Sequence, residues 1–188
     1  FYDGNDILIE EDEIKDLWYP NQFVMMVSNA NEKKTALARF NAHHTPLKKI
    51  VHDKLPDWKI NARNKEQAFA LDLLMDPKIP FVSLIGKAGS GKTLMAIATG
   101  IAQILEDPFR KNVAPAYKRL VVSRPIQPMG KDIGFLPGSM EEKMRPWLMP
   151  IQDNLQYIMG DDRTTLADYM DRGFIELEAL TYIRGRSI

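Results

Sequence analysis

One octapeptide determines the architecture expected of this chain: Gly86-Lys87-Ala88-Gly89-Ser90-Gly91-Lys92-Thr93. It matches the pattern G-x-x-x-x-G-K-[ST] at every fixed position, and it lies between an apolar run at 81–85 and a helical pattern at 94–105. The order strand, glycine loop, helix is typical of a loop whose backbone N–H groups curl around phosphate oxygens. The octapeptide therefore predicts a phosphate loop (P-loop) that binds a nucleoside triphosphate.

The residue types in the loop predict separate roles. Glycines give the backbone the freedom that a close approach to phosphates requires. Lys92 would place its ammonium against the β and γ phosphates, and Thr93 would offer its hydroxyl to Mg²⁺. We therefore predict ATP and Mg²⁺ as cofactors, Lys92 and Thr93 as the catalytic pair, and Thr93 as the metal ligand. The predicted nucleotide-binding set is Gln67, Gly86, Lys87, Ala88, Gly89, Ser90, Gly91, Lys92, Thr93 and Leu94.

Gln67, upstream of the loop, has two interpretations. Its carboxamide carries a donor and an acceptor together, as reading the N6 amine and N7 of adenine requires. Asn64 and Gln67 also form a capping-box pattern, in which the glutamine reaches back to the cap residue. Both interpretations stay open. A guanine-reading Asn-Lys-x-Asp signature is not present in the sequence, which favours ATP over GTP.

The remaining periodicities predict an α/β fold with a mostly parallel sheet. Further strand-like runs occur at 120–122 and 174–180, and helical patterns separate them. Pro146 and Pro150 should break or kink the helix that follows residue 139. Residues 1–60 alternate with period two and predict a small β-rich module with a central hairpin. The predicted domains are therefore 1–60, the connector module, and 61–188, the N-terminal part of a P-loop NTPase domain.

Composition limits the function classes. Lys plus Arg and Asp plus Glu number 25 each, so no overall field favours nucleic acid or an anionic membrane. A basic segment at 31–65 is either a polyanion-facing surface or a merely solvated face. The chain has no cysteine and no apolar run long enough to span a bilayer, which predicts a soluble cytoplasmic protein without a membrane partner. Because it begins with Phe1 and stops abruptly at Ile188, a piece of a longer polypeptide is expected.

The sequence shows no apolar strand that ends in an acidic residue and could lie beside the phosphate loop. Hydrolysis in this architecture needs such a residue to hold Mg²⁺. The run at 174–180 alternates its glutamates, and 157–162 follows helical periodicity. The acid is expected beyond Ile188, so this piece alone could bind nucleotide without turning it over.

Two longer strings, VSRPIQPMGKDIGFLPG at 122–138 and EALTYIRGRSI at 178–188, resemble the signature of PhoH-like ATPases. The resemblance covers about 60–188 and implies an ATPase core related to superfamily 1 helicases that acts on single-stranded RNA. It also implies a homo-oligomeric ring, with a hexamer among the sizes expected, and a continuation into the missing Asp-Glu strand. The string YPNQFV at 19–24 is similar to the connector of fusions that carry an N-terminal PIN nuclease domain.

Four basic residues follow predicted strands, at the sheet edge where ligands bind open α/β sheets. They would contact nucleic acid or a neighbouring subunit, or else pair with local carboxylates: Arg124, Lys131, Arg184 and Arg186. The function predicted is an RNA-coupled ATPase, complete only in the full protein. The alternatives are a nucleotide-binding scaffold without turnover and a small-molecule kinase.

Overall fold

The computed structural model describes residues 7, 18–42, 45–50, 54–55, 60–105, 115, 117–124, 140–160 and 163–179. Contacts divide the chain into two compact units. Phe1–Lys54 groups with Asn61–Asp76, and Leu55–Ile60 groups with Pro77–Ile188. The predicted domain boundary lies after residue 60, whereas the helix that follows it groups by contacts with the N-terminal strands.

The N-terminal unit is built on an antiparallel hairpin, as the period-two pattern predicted. Strand β1 (Phe23–Ser28) pairs with β2 (Asn31–Arg39), and the short β3 (Lys48–Lys49) pairs antiparallel with the other edge of β2. The connection between β1 and β2 consists of residues 29 and 30, because the polar residues 31–34 belong to β2. Their polar side chains are exposed there, as solvated strand residues can be.

The two faces of this hairpin have different surroundings. Ala38, Phe40 and Leu47 form a buried cluster, against which Trp18 and Met26 pack. Met26 lies opposite Ala36, so it shares the face of Ala38, whereas Met25 and Val27 point the other way and are 47% and 46% exposed. The apolar run of β1 is therefore divided between the face of this cluster and the opposite face, where Met25 and Val27 are exposed.

Helix α1 (Lys65–Leu74) packs on the hairpin, where the Phe69 ring stacks on Phe23 with 4.2 Å between centroids. The helix begins after Asn64, the cap residue of the predicted capping box, and ends before Pro77. Two short strands, β4 (Lys54–Leu55) and β5 (Ile60–Asn61), form a separate two-stranded sheet.

The second unit is mixed α/β. It contains α2 (Lys92–Ile104), β6 (Leu120–Arg124), α3 (Met140–Met159), α4 (Arg163–Asp171) and β7 (Ile175–Ala179). Strands β6 and β7 are parallel, with Leu120 opposite Ile175 and Arg124 opposite Ala179. The parallel α/β arrangement predicted from the sequence is confirmed in these elements.

Helix α2 approaches the sheet at Gly100. A Cβ atom there would lie 2.6 Å from Leu120 Cδ1, closer than side chains tolerate, so the glycine permits this packing distance. Helix α2 also contacts α3, whose buried Ile151, Leu155 and Ile158 have the spacing of one helical face. Helix α3 is continuous over 20 residues, so neither Pro146 nor Pro150 breaks it, and the kink predicted as the alternative stays a prediction.

The predicted strand at 81–85 is not formed. Phe81 and Ile85 are 82% and 95% exposed, and in the described part of the chain these five residues make no hydrogen bond. A strand exists only through hydrogen bonds to a neighbour. The apolar run has strand composition, yet the described residues offer it no partner. Among the described helices, none combines the length and apolarity that a membrane span requires.

Candidate functional site

The octapeptide folds into a tight loop that runs directly into α2. Gly89 and Gly91 have φ values of 77° and 86°, in the left-handed region that side-chain-bearing residues avoid. Gly91 is the N-cap of α2, and its carbonyl accepts from the Met95 N–H at 2.9 Å. The glycine spacing of the motif therefore has a conformational cause, because both glycines sit where the chain reverses into the helix.

The Lys92 side chain folds back over the loop that precedes it. Its Nζ donates to the Gly86 carbonyl at 2.9 Å, to the Lys87 carbonyl at 2.7 Å and to Ser90 Oγ at 3.3 Å. In the described part of the chain it pairs with no carboxylate. The ammonium is thus held within the loop by neutral acceptors, and no carboxylate of the described residues compensates its positive charge.

The N-terminus of α2 suits an anion. The cap makes no side-chain hydrogen bond, the first turn holds no acidic residue, and residues 86–90 are exposed. The first N–H groups of a helix carry partial positive charge and lack intrahelical acceptors. Thr93 is exposed too, and within the described residues its hydroxyl makes no hydrogen bond. The loop therefore fits a polyphosphate, and Thr93 fits a magnesium ion bound to it.

Gln67 is engaged at the start of α1. Its N–H donates to Asn64 Oδ1 at 2.9 Å, so Asn64 caps the helix. Its Oε1 accepts from the Arg63 N–H at 2.8 Å. The capping box predicted a bond from the N–H of Asn64, which is the next residue. This reciprocal pair supports the capping interpretation in a shifted form. Gln67 lies in the N-terminal unit and the phosphate loop in the other, so adenine reading stays a prediction.

The four predicted basic contacts are not brought together by the described residues. Arg124 ends β6, and its side chain lies outside what the structure describes. Lys131, Arg184 and Arg186 fall outside the described residues altogether. Of the predicted site residues, those from Gly86 to Leu94 form one continuous site.

Among the described residues, the carboxylates near the carboxyl ends of β6 and β7 are Glu176 and Glu178 of β7. Glu176 points at Arg119, whose Nη1 lies 2.9 Å from its Oε1, and Glu178 lies opposite Ser123. The described residues contain no group of three or more acidic or imidazole side chains that could hold a metal ion. Thr93 as a metal ligand stays a prediction.

Sequence reasoning missed the contact between Ser90 and Lys92. Position 90 is variable in the motif pattern, and nothing in the sequence distinguishes its hydroxyl from that of any loop serine. The contact follows from the curvature of the loop, which brings Ser90 beside the returning lysine.

Comparisons with known proteins agree on one family. A family model described as "PhoH-like protein" matches residues 59–188. The chain is 45% identical to Protein PhoH2 of Bacillus subtilis (strain 168) over 190 residues, which covers all of this chain and 41% of that protein. It is 38% identical to Protein PhoH2 of Mycolicibacterium smegmatis, over 81% of this chain and 33% of that protein. A PhoH-like protein of Bacillus subtilis is 36% identical over 55% of this chain and 30% of that protein.

The chain spans 41% or less of each of these relatives. No solved structure matches it.

Proposed function

The chain belongs to the PhoH-like family, and from that membership and the geometry of its loop we propose that it binds ATP with Mg²⁺ on residues 86–94. The observation that carries the proposal is the Lys92 ammonium, which lies inside the loop on two backbone carbonyls and one hydroxyl. A buried or half-buried cation without a carboxylate partner favours an anionic ligand.

The loop residues would divide the work of binding. Backbone N–H groups from Gly89 to Lys92, with the N-terminus of α2, would hold the β phosphate, and Lys92 would reach the β and γ oxygens. Thr93 would ligate Mg²⁺. When bound, the ion neutralises charge on the phosphate oxygens and aligns the γ phosphoryl group. The backbone that would surround the phosphates is flanked by Lys87, Ala88 and Leu94. Gln67 would supply the preference for adenine.

In the complete protein we expect hydrolysis of ATP coupled to single-stranded RNA, by a motor related to superfamily 1 helicases and assembled as a ring. The relatives are more than twice the length of this chain, and an acidic strand elsewhere in the polypeptide would complete the Mg²⁺ site. Arg124, Lys131, Arg184 and Arg186 would contact RNA phosphates or a neighbouring nucleotide. Attachment of a PIN nuclease domain before residue 19 belongs to the same proposal.

The alternative is a nucleotide-binding scaffold without turnover. It is favoured by one observation, namely that no described strand ends in a carboxylate. The scaffold alternative would be further supported if the complete protein also lacked a strand that ends in a carboxylate.

The test is the ATPase rate of the full-length protein and of this 188-residue chain, each with and without single-stranded RNA. RNA-stimulated turnover by the full-length protein and none by the shorter chain supports the motor and the missing acid. ATP binding without turnover in both supports the scaffold. Phosphate transfer to a small acceptor, followed by ³¹P NMR, identifies a kinase. Absence of ATP binding in both proteins rejects the site itself.

A further inference from the structure

The hydrogen-bonding capacity of Lys92 is saturated by its own loop. An ammonium carries three N–H donors and no acceptor. Three acceptors surround Nζ: the Gly86 carbonyl at 2.9 Å, the Lys87 carbonyl at 2.7 Å and Ser90 Oγ at 3.3 Å. To donate a well-formed hydrogen bond to a phosphate oxygen, Lys92 must therefore give up one of these partners.

The three partners differ in how easily they can be given up. The two carbonyls belong to the backbone, so their positions are set by the path of the loop. Ser90 Oγ is the most distant of the three, and it sits on a side chain that can rotate about χ1. Hydrogen bonds weaken as the donor–acceptor distance grows beyond about 3.2 Å. The bond to Ser90 is therefore the one that a ligand would replace at the smallest cost.

Gly86 provides the space in which Ser90 reaches Lys92. A Cβ atom at Gly86 would lie 3.2 Å from Ser90 Oγ and 3.8 Å from Lys92 Cδ, so any larger residue would crowd this contact. The first glycine of the motif, Ser90 and Lys92 thus form one packed group at the mouth of the loop.

From this geometry we propose that Ser90 is a positioning residue that latches Lys92 in the free loop and releases it when the terminal phosphates of a nucleotide enter. The proposal rests on the proposed nucleotide site. The latch stabilises the free loop and is absent from the bound one, so it lowers affinity for nucleotide.

The test compares wild-type protein with Ser90→Ala, Ser90→Thr and, as a matched control, Ser83→Ala. Ser83 is an exposed serine of the same unit that makes no hydrogen bond in the described structure. The Kd for a fluorescent ATP analogue with Mg²⁺ is measured by titration. We expect Ser90→Ala to bind about two- to tenfold more tightly, because the hydrogen bond from Lys92 to Ser90 Oγ stabilises the free loop and not the bound one. Ser90→Thr retains a hydroxyl and should stay closer to the wild-type Kd than Ser90→Ala, and Ser83→Ala should not change it.

A second measurement needs no nucleotide. In protein labelled with ¹⁵N-lysine, proton exchange between the Lys92 ammonium and water is slowed by its hydrogen bonds, and loss of the latch should speed this exchange in Ser90→Ala alone. Weaker nucleotide binding by Ser90→Ala, or unchanged ammonium exchange, would overturn the latch. Absence of ATP binding by the wild type would instead reject the nucleotide site, and the exchange measurement would still report on the contact.

Discussion

Arg39 and Asp72 form an ion pair that is sealed from solvent: Nε lies 3.2 Å from Oδ2, and the two side chains are 2% and 0% exposed. Arg39 ends strand β2, and Asp72 lies in helix α1, so the pair fastens the helix to the sheet. Asp76 joins the cluster by pairing with Arg39, and Lys48 Nζ lies 3.2 Å from its Oδ2. The helix and the strand are thus held by charge as well as by the Phe23–Phe69 stack.

Removing one partner of this pair should be costly. Asp72→Asn leaves the Arg39 guanidinium buried with Asp76 as its remaining carboxylate, so we expect a cost of roughly 1–3 kcal/mol, below that of a buried charge left unpaired. We expect a loss of that size in the free energy of unfolding of the N-terminal unit. Urea titration would measure it through Trp18, which packs on Phe40 at 5.4 Å between ring centroids. Trp58 and Trp147 would first be replaced by phenylalanine.

An exposed ion pair of the second unit provides the comparison, and the unfolding of that unit is followed by circular dichroism instead of Trp18 fluorescence. Arg172 and Asp168 are paired at 3.2 Å, but their side chains are 59% and 56% exposed. Asp168→Asn should cost less than about 0.5 kcal/mol, because water already solvates both charges. Equal losses from the two variants would mean that burial of the Arg39 pair does not determine its contribution.

Lys92→Ala should abolish tight nucleotide binding while the fold persists. The ammonium contacts loop acceptors and no core residue, so its removal leaves α2 packed. Charge-assisted hydrogen bonds are worth about 1.5–3 kcal/mol, which corresponds to a roughly 10- to 100-fold rise in the Kd for ATP. Calorimetric titration would measure the Kd, and circular dichroism would follow the fold.

The matched control is Lys118→Ala, since Lys118 is an exposed lysine of the same unit outside the loop. It should leave the Kd unchanged. An unaltered affinity in Lys92→Ala would contradict the assignment of the phosphate loop.

Gly100 and Leu120 should behave as a coupled pair. In Gly100→Ala the new Cβ meets Leu120 Cδ1 at 2.6 Å and Cδ2 at 3.2 Å. Overpacking of this kind costs about 1–3 kcal/mol, which exceeds the gain of about 1 kcal/mol in helix propensity at its upper end. We expect Gly100→Ala to lower the thermal midpoint of the second unit. In a Leu120→Ala background the same change should raise the midpoint, because the obstructing methyl groups are gone.

A double-mutant cycle of thermal unfolding would measure this coupling. A coupling energy near zero would mean that α2 shifts away from the sheet at no cost. Ala96→Gly, at an exposed position of α2, measures how much stability the helix loses when alanine is replaced by glycine without a change in packing.

Hydrophobic periodicity predicted the hairpin and the helix, because both are formed by residues that are close in sequence. The period-two runs predicted the β1–β2 hairpin, and the helical spacing after the glycine loop predicted α2. The loop's left-handed glycines follow from its motif, since only glycine adopts those φ values without strain.

What the sequence did not reveal depends on distant partners. The apolar run at 81–85 has strand composition but acquires no hydrogen-bonded neighbour in the described residues, so composition alone misassigned it. The ion pair of Arg39 with Asp72 joins residues from separate elements, and either residue alone reads as a surface charge. Ser90 is found beside Lys92 only after the loop has curved.

Gln67 can be assigned by a substitution that separates its two predicted roles. Gln67→Glu keeps an oxygen acceptor for the Arg63 N–H and adds negative charge near the N-terminus of α1, which helices favour. It removes the amide donor that adenine reading needs. We expect the stability of the N-terminal unit to change by less than about 0.5 kcal/mol, and the preference for ATP over GTP to fall about tenfold, since a paired amide contact to adenine is worth roughly 1–3 kcal/mol.

Asn64→Ala provides the complementary variant. It removes the hydrogen bond from the Gln67 N–H to Asn64 Oδ1 and should cost about 1 kcal/mol of stability, without changing the ratio of ATP to GTP affinity. Parallel titrations with both nucleotides and urea unfolding of each variant measure the two effects. If Gln67→Glu keeps the wild-type ratio of ATP to GTP affinity, the Gln67 amide donates no hydrogen bond to adenine. Gln67 then serves only to cap helix α1.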